Sequence, residues 1–533
     1  MWRRAVAPLR RLPRARVPAV PLSRRMATYG GSSSSSAGDT IAAPAGVPGA
    51  GSAIVPVRVS GPLCSDVAEA VLVPPPSTRP LRPRVASLRK IVDRRTGLPL
   101  DEAVVLWFPG PGSYTGEDML EFHLHGGRAV VNGVTELLTG ACGARLAEPG
   151  EFTRRAFEAG RMDLTEAEAV VDLLNADTDD QRTLALSQLG GSLRGLYDGW
   201  AARLRMLLAH AEAVIDMGDD EEDVGDGVWA GCADAAAALA AEMRSHLEDG
   251  RRGELIRSGL TVALVGAPNA GKSSLVNRLA RTDVAIVSAT PGTTRDAVAV
   301  RLNVRGVPVT VVDTAGMRES ADDIERQGIA RARARAGEAD VVAIVCEAAA
   351  GAQEAVRGAE EVAHAVLLAA GVGGRPAPGP GPPPGLPSLA ALSAQKHVAV
   401  VLSKCDQGEA DVEGVTALLA AGGAASVACV PTSAQEGHRE GVTALEAMMA
   451  DSVGRLAGMG DGGPVLTRER HRTQVEHCVA SLSRFCEAVA GGAPADMASE
   501  ELRLAVGALA RVTGRVDVEG VLDDVFSTFC VGK

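Results

Sequence analysis

Near the middle of a 533-residue chain, Gly266-Ala267-Pro268-Asn269-Ala270-Gly271-Lys272-Ser273-Ser274 fits the spacing G-x-x-x-x-G-K-[ST]. Glycines at these places let backbone N–H groups close around phosphate oxygens. Lys272 adds a positive charge for the outer phosphates, and the Ser273 hydroxyl can reach Mg²⁺. An apolar run, Thr261–Val265, precedes the loop and a predicted helix, Ser274–Leu279, follows it. That strand–loop–helix setting is the one the chemistry needs.

Further boxes follow in order. Gly292-Thr293-Thr294-Arg295-Asp296 lies about twenty residues on. Two extended segments, Ala297–Val304 and Val307–Val312, joined at Arg305-Gly306, read as a hairpin leading to Asp313-Thr314-Ala315-Gly316. There Asp313 can hold a metal-bound water, and the Gly316 N–H can meet a γ-phosphate. Strand-like Val341–Val345 and Val398–Leu402 come next, the second running into Ser403-Lys404-Cys405-Asp406. Val427–Val430 then leads to Ser433-Ala434. Alternating strands and helices imply a doubly wound, mostly parallel sheet. The late Lys-x-Asp box selects guanine, because Asp406 can accept from the base N1–H and amino group. Met317 stands where a water-orienting side chain would be expected, and its apolar end cannot position water.

About 260 residues precede this unit and about 80 follow it, so it is embedded in something larger. The length suggests three or so domains, and 46% hydrophobic residues is ample for their cores. No apolar run approaches the length of a membrane span. Nine cysteines without metal-site spacing read as free thiols. Residues 1–38 hold eight arginines, no acidic residue and a serine run at Ser32–Ser36. That is transit-peptide composition, so mitochondrial localisation is expected, with plastid as the alternative. Removing eight arginines takes the net charge from −12 to about −20, an unlikely balance for a lone nucleic-acid binder. RNA would then need a partner or a local basic patch.

Residues 163–252 read as helices, with Leu204, Leu207, Leu208, Ala211 and Ile215 on one face and the acidic run Asp219–Asp223 as a connection. After the nucleotide unit, Val475, Cys478, Leu482, Phe485 and Val489 form a second seam. Leu502, Val506 and Leu509 continue it until Thr513-Gly514. The two helical blocks are expected to pack on each other. Glu347–Gln395, rich in Ala, Gly and Pro, reads as a flexible insertion. His123 and His125 lack a ligand set and read as packing or hydrogen-bonding residues.

The chain ends Val525-Phe526-Ser527-Thr528-Phe529-Cys530-Val531-Gly532-Lys533. With this end, the nucleotide boxes resemble the MnmE/TrmE family of tRNA-modification GTPases. The likeness extends over nearly everything after residue 39. It includes Asp39-Thr40-Ile41, Arg58-Val59-Ser60-Gly61, Leu106-Trp107-Phe108-Pro109-Gly110-Pro111 and Tyr114-Thr115-Gly116-Glu117-Asp118. It continues through His125-Gly126-Gly127, Glu148-Pro149-Gly150-Glu151-Phe152-Thr153, Leu164-Thr165-Glu166-Ala167-Glu168-Ala169 and Glu501-Leu502-Arg503-Leu504-Ala505.

The resemblance implies a multidomain α/β plus all-α fold. A transit peptide would occupy 1–38 and an α+β folate-binding and dimerisation domain 39–161. A discontinuous helical bundle would occupy 162–257 and 453–533, with a P-loop GTPase domain inserted at 258–452 and the flexible stretch at 347–395. It implies a homodimer that joins an FAD-dependent MnmG/GidA-type partner in a heterotetramer, FAD residing on the partner only. The complex would act on tRNA wobble uridine at C5, with a tetrahydrofolate one-carbon donor and glycine or taurine. Folate contacts would fall on Arg58, Glu121 and Arg161, with Lys533 nearby.

Asn269 and the Thr-rich segment resemble GTPases in which K⁺ replaces an arginine finger. K⁺ ligands would be Asn269, Ser288, Thr290 through its carbonyl, and Thr293, with Mg²⁺ on Ser273 and Thr294. Glu325 stands where such families orient water, so Glu325, Lys272 and Thr294 are the catalytic candidates. GTP contacts would be Gly266, Asn269, Ala270, Gly271, Lys272, Ser273, Ser274, Ser288, Thr293, Thr294, Asp313, Thr314, Ala315, Gly316, Ser403, Lys404, Asp406, Ser433 and Ala434. There are departures. Ala42–Val55 is longer and richer in Ala and Pro than the family's glycine-rich loop. Ser403 replaces the usual asparagine of the fourth box and is expected to weaken guanine-nucleotide binding. Cys530 is expected to be a buried small residue rather than a nucleophile. The rival function is a regulatory GTPase of organellar ribosome assembly.

Overall fold

The computed structural model describes residues 38–47, 52–217, 222–248, 251–282, 284–286, 299–313, 337–369, 387–435, 439–457, 465–516 and 519–533. Two sheets and a helical bundle carry the cores.

The first sheet holds β1 (Ile41–Pro44), β2 (Ile54–Ser60), β3 (Leu72–Val73), β4 (Ser87–Asp93), β5 (Leu98–Phe108), β6 (Met119–His125) and β7 (Arg145–Leu146). Their order is β3-β4-β5-β6-β2-β1-β7, antiparallel except for β1 with β7. Alternation decides which side chain faces which way. Val55, Val57 and Val59 of β2 join Leu120, Phe122 and Leu124 of β6 in a core under the helices Cys64–Val71 and Arg128–Ala141. Arg58 and Glu121 therefore share the opposite face, directly across from each other. The stretch read as a loop, Ala42–Val55, is instead largely strand at its two ends, because β1 pairs with β2.

The second sheet holds β8 (Leu260–Gly266), β9 (Ala299–Val304), β10 (Val307–Asp313), β11 (Val341–Glu347), β12 (His397–Ser403) and β13 (Ala428–Pro431). Its order is β13-β12-β11-β8-β10-β9, parallel except for the β9–β10 hairpin. Apolar cores on both faces explain its near-continuous Val, Ile and Leu runs. The Glu347–Gln395 stretch differs from expectation. Its described parts form a 3₁₀ turn Ala348–Ala350 and helices Ala352–Ala369 and Pro387–Gln395, while 370–386, with most of its prolines, lie outside the described residues. Ala355, Ala359, Ala363 and Val366 recur at helical spacing and bury against the sheet. Alanine richness in Ala352–Ala369 thus reflects close helix–sheet packing.

The helices Ser192–Met217, Glu222–Leu247, Glu469–Ala490 and Ala495–Thr513 enclose one core that draws residues from both sides of the second sheet's segment. Leu204, Leu207 and Ala211 are in it, as are Val475, Cys478, Leu482, Phe485, Leu502 and Leu509. Leu208, Val489 and Val506 pack at its margin. Ile215 does not join it and is exposed, because it lies beyond the end of the partner helices' seam. Of the acidic run, 219–221 lie outside the described residues, and helix begins at Glu222.

The two polypeptide crossings into the second sheet run side by side. Arg257 Nε donates to the Thr467 carbonyl at 2.7 Å, and a Cβ at Gly253 would collide with the Leu466 carbonyl. A buried charge cluster joins the two halves of the bundle. Arg470 forks Glu168 at 2.6 and 2.8 Å, His471 Nε2 lies 3.0 Å from Glu168 Oε2, and Arg468 bonds Asp172 at 2.8 Å. The tail then returns to the first sheet. Val531 bridges Pro149, and the Phe152 N–H donates to the Lys533 carbonyl at 3.2 Å. Cys530 is exposed, not buried as its residue type suggested, because the tail lies on the surface beside this bridge.

Candidate functional site

The nucleotide-site residues lie at the C-terminal ends of parallel strands. Gly266 ends β8, Asp313 ends β10, Glu347 ends β11 and Ser403 ends β12. β10 and β11 flank β8 on opposite sides, which makes this edge a topological switch point, where open α/β sheets bind ligands. The loop from 267 to 271 then feeds the helix Lys272–Leu279. Its turn needs left-handed backbone at Asn269 (φ 66°) and Gly271 (φ 93°), conformations that Asn and Gly tolerate best. At Gly266 a Cβ would run into the Val345 carbonyl.

Lys272 is buried and donates to the carbonyls of Gly266 (2.9 Å) and Ala267 (2.7 Å), so its ammonium is held across the loop. Burial lowers its pKa, opposed in part by Asp313. Ser273 Oγ donates to Asp313 Oδ2 at 2.5 Å. A hydroxyl and a carboxylate side by side are hard oxygen donors of the kind Mg²⁺ takes.

The base side is built from the next two strand ends. Ser403 is buried, and its hydroxyl lies 2.6 Å from the Ala270 carbonyl and 3.1 Å from that of Cys346. The short side chain thus reaches the phosphate loop. Lys404, at φ 59°, bonds Glu347 at 2.5 Å. Asp406 accepts from Ser433 Oγ at 2.5 Å, which brings the last two boxes together, with Ala434 packed against the core. Ser274 follows Ser273 in the helix's first turn. Ser288, Thr290, Thr293, Thr294, Arg295, Asp296, Thr314, Ala315, Gly316, Met317 and Glu325 lie outside the described residues.

A second polar cluster sits on the opposite face of the first sheet, beside a small core of Ile41, Ala43, Met119 and Phe152. Arg58 Nε donates to Glu121 Oε1 at 2.9 Å, and Arg58 also reaches the Gly532 carbonyl at 3.3 Å. Burial and the Arg58 charge lower the Lys533 pKa, while Glu121 opposes them. Arg58, Glu121 and the chain end are therefore brought together. Arg161 lies by the Gly116 turn, its Cγ 3.7 Å from where a Cβ at Gly116 would stand. His123 Nε2 lies 3.5 Å from Glu121, and His125 Nδ1 lies 2.7 Å from Asp101.

Sequence reading missed two features. Arg155 binds Asp39 (2.7 Å), Glu117 (3.0 Å) and Glu151 (3.0 Å), tying the first strand's entry to the helix Glu151–Glu158. The charged residues of Asp39-Thr40-Ile41 and Glu148–Thr153 were the available signal. The second is a grip on the β9–β10 turn. Thr178 Oγ donates to the Gly306 carbonyl at 2.6 Å, and Arg301 pairs with Asp177 at 2.6 Å. No local pattern links Thr178 to a turn 128 residues away.

Comparisons agree with this architecture. The family profile described as "GTP-binding protein TrmE N-terminus" matches residues 40–161, and that of the "MnmE helical domain" matches residues 164–530. A "tRNA modification GTPase MnmE" of Parvibaculum lavamentivorans is 44% identical over 451 residues, 85% of this chain and 91% of the relative. The protein of that name from Methylobacterium radiotolerans is 44% identical over 93% of this chain and 99% of its own length. That from Gluconacetobacter diazotrophicus is 43% identical over 91% and 97%. These relatives are bacterial, which overturns the expected mitochondrial or plastid localisation. Residues 1–37, on which that expectation rested, lie outside the described residues.

Proposed function

The chain belongs to the MnmE/TrmE family of tRNA modification GTPases, and from that premise we propose how its residues divide the work. The observation that carries the reading is the convergence of the phosphate loop, Asp313, Ser403 and Asp406 on one sheet edge. The chain is a GTPase acting in tRNA modification. We assign the phosphates to the N–H groups of Gly266–Ser274 and to Lys272, and the guanine edge to Asp406, oriented by Ser433. Ser273 and Asp313 would hold Mg²⁺, with Thr294 and the Gly316 N–H completing the γ-phosphate side. A bound Mg²⁺ would neutralise charge that develops on the transferring phosphoryl group.

Because Met317 cannot orient water, we assign that role to Glu325, with Asn269, Ser288, Thr290 and Thr293 as K⁺ ligands. The left-handed Asn269 supports this, since that backbone fixes the side chain's direction from the loop. On the first sheet, Arg58, Glu121 and Lys533 fit a tetrahydrofolate: a guanidinium and an ammonium suit its glutamate tail, and a carboxylate can accept from the pterin amino group. Arg161 would contribute from the neighbouring turn. The carrier would supply one carbon for an aminomethyl-type group at C5 of wobble uridine. A homodimer paired with an FAD-dependent MnmG/GidA-type partner would hold the tRNA, in keeping with the acidic charge of this chain.

The test is steady-state GTP hydrolysis in K⁺ and in Na⁺. Turnover is expected to fall at least about tenfold in Na⁺ and again in Glu325→Ala, with GDP affinity unchanged. Equal rates in both salts would remove the K⁺ assignment, and unchanged turnover in the variant would remove Glu325.

A further inference from the structure

A cavity of about 260 Å³ lies where the helical bundle meets the two crossings into the GTPase sheet. Its polar lining includes Asp172, Gln181, Gln188, Arg257, Thr467 and Arg468, with Asn175 and Thr528. Gln188 and Thr467 are almost wholly buried. Four buried atoms here have no hydrogen-bond partner: Gln188 Nε2, Thr467 Oγ1, Arg468 Nε and Asp172 Oδ2. Native interiors leave only a few such atoms per hundred residues, and the grouping of four among the residues of one cavity points to an occupant.

The chemistry of the lining narrows the occupant. Two of the four atoms are N–H donors and a third, the Thr467 hydroxyl, can donate. The charges do not balance locally. Arg257 and Arg468 share Asp172, at 3.9 and 2.8 Å, while Glu168 is already forked by Arg470. Arg468 Nε lies 3.5 Å from Glu168 Oε1, an ion pair without a hydrogen bond. Each guanidinium destabilises the other's charge, and burial adds to this at Arg257. An excess of positive charge and of donors selects a small oxyanion. Asp172 is the repelling carboxylate of the lining itself, with Glu168 beside Arg468 and Glu254 acting on Arg257 behind it, and burial raises the Asp172 pKa. The volume admits a tetrahedral oxyanion with a few waters, at about 30 Å³ for each water, and is small for a drug-sized ligand.

We infer that this cavity is a binding site for one small tetrahedral oxyanion of the phosphate or sulfate class, held by Gln188, Thr467, Arg257 and Arg468. The place gives it a consequence. Arg257 precedes β8 and Thr467 follows the return crossing, so the anion would touch both connections to the GTPase sheet. Gln181 also donates to the Arg257 carbonyl at 2.8 Å, from the helix that grips the β9–β10 turn. Occupancy would stiffen that joint.

Titration calorimetry on the full chain saturated with GDP tests this, because GDP occupies the phosphate loop and removes it as a competing site. Inorganic phosphate and sulfate are the two probes. The expected result is one site per chain for at least one probe. Gln188→Leu should weaken it by roughly tenfold or more, the loss of one hydrogen bond to a charged group. Thr467→Val, nearly isosteric, should act in the same direction and guards against misfolding of the first variant. GDP affinity should be unchanged in both, so failure here is separable from failure of the nucleotide-site reading. No binding of either probe below about 10 mM, or binding that neither variant alters, would overturn the inference.

Discussion

Ser403 shows how a short side chain can keep one contact of the residue it replaces. The residue was legible as a departure at the fourth box. Its hydroxyl nevertheless bonds the phosphate loop at Ala270, because β12 ends directly beside that loop. What a serine lacks is the second, base-facing group. Ser403→Ala should therefore lower GDP affinity by roughly five- to tenfold, and Ser403→Asn should raise it, in titration with a fluorescent GDP. No gain in the asparagine variant would show that the base contact is supplied elsewhere.

At the same scale, burial holds His471 neutral, with its pKa pushed down to about 4 and opposed by Glu168. Burial alone would raise the Glu168 pKa, but the charges of Arg470 and Arg468 and a hydrogen bond from the neutral His471 outweigh it and hold it low. The unfolded chain takes up a proton at the histidine below about pH 6.5, where the folded chain does not. Stability from this pair is thus present at neutral pH and is lost as pH falls from about 6.5 towards 4. The raised pKa of Asp172 offsets part of the loss. Urea denaturation at pH 7 and pH 4.5 should show a loss on the order of 1–3 kcal/mol that His471→Gln largely removes. An equal loss in the variant would contradict this.

Among elements, the β9–β10 hairpin carries the most coupling. Its strands were legible from alternating apolar residues and the Arg305-Gly306 turn, both residues having positive φ. Its grip by the helix Asp179–Leu189 was not legible, since contacts between distant segments leave no local periodicity. The hairpin is continuous with Gly292–Asp296 on one side and with Asp313–Gly316 on the other. The grip at Thr178 and Asp177 therefore anchors the far end of the segment that joins two nucleotide boxes. Gly306→Ala would place a Cβ against Asp180 at φ 84°, and should cost about 1–3 kcal/mol. The expected result is a lower melting temperature with GDP affinity within about twofold of wild type. Undiminished stability would mean that the grip is not formed in solution. Helix Ala352–Ala369 is the converse case. Its alanines were read as part of a flexible insertion because composition was weighed above their i, i+4 spacing, which the burial of Ala355, Ala359 and Ala363 makes plain.

For the whole molecule, the order of parts was legible because each motif sits on its own element: the phosphate loop after β8, the paired Arg58 and Glu121 on adjacent strands, the helical seams on either side. The closure of the chain was visible only in part. The C-terminal tail meets the first sheet at Arg58 and Phe152, and the two crossings lie together at Arg257 and Thr467. The GTPase sheet thus meets the helical part both at its two crossings and at the β9–β10 turn, while the C-terminal tail lies at the Arg58–Glu121 cluster. The direct test is mass spectrometry of tRNA wobble uridines from cells lacking this chain, complemented with wild type or with Lys272→Ala. Wild type should restore the C5 modification, and Lys272→Ala should not. Unchanged wobble modification in cells without the chain would contradict the account.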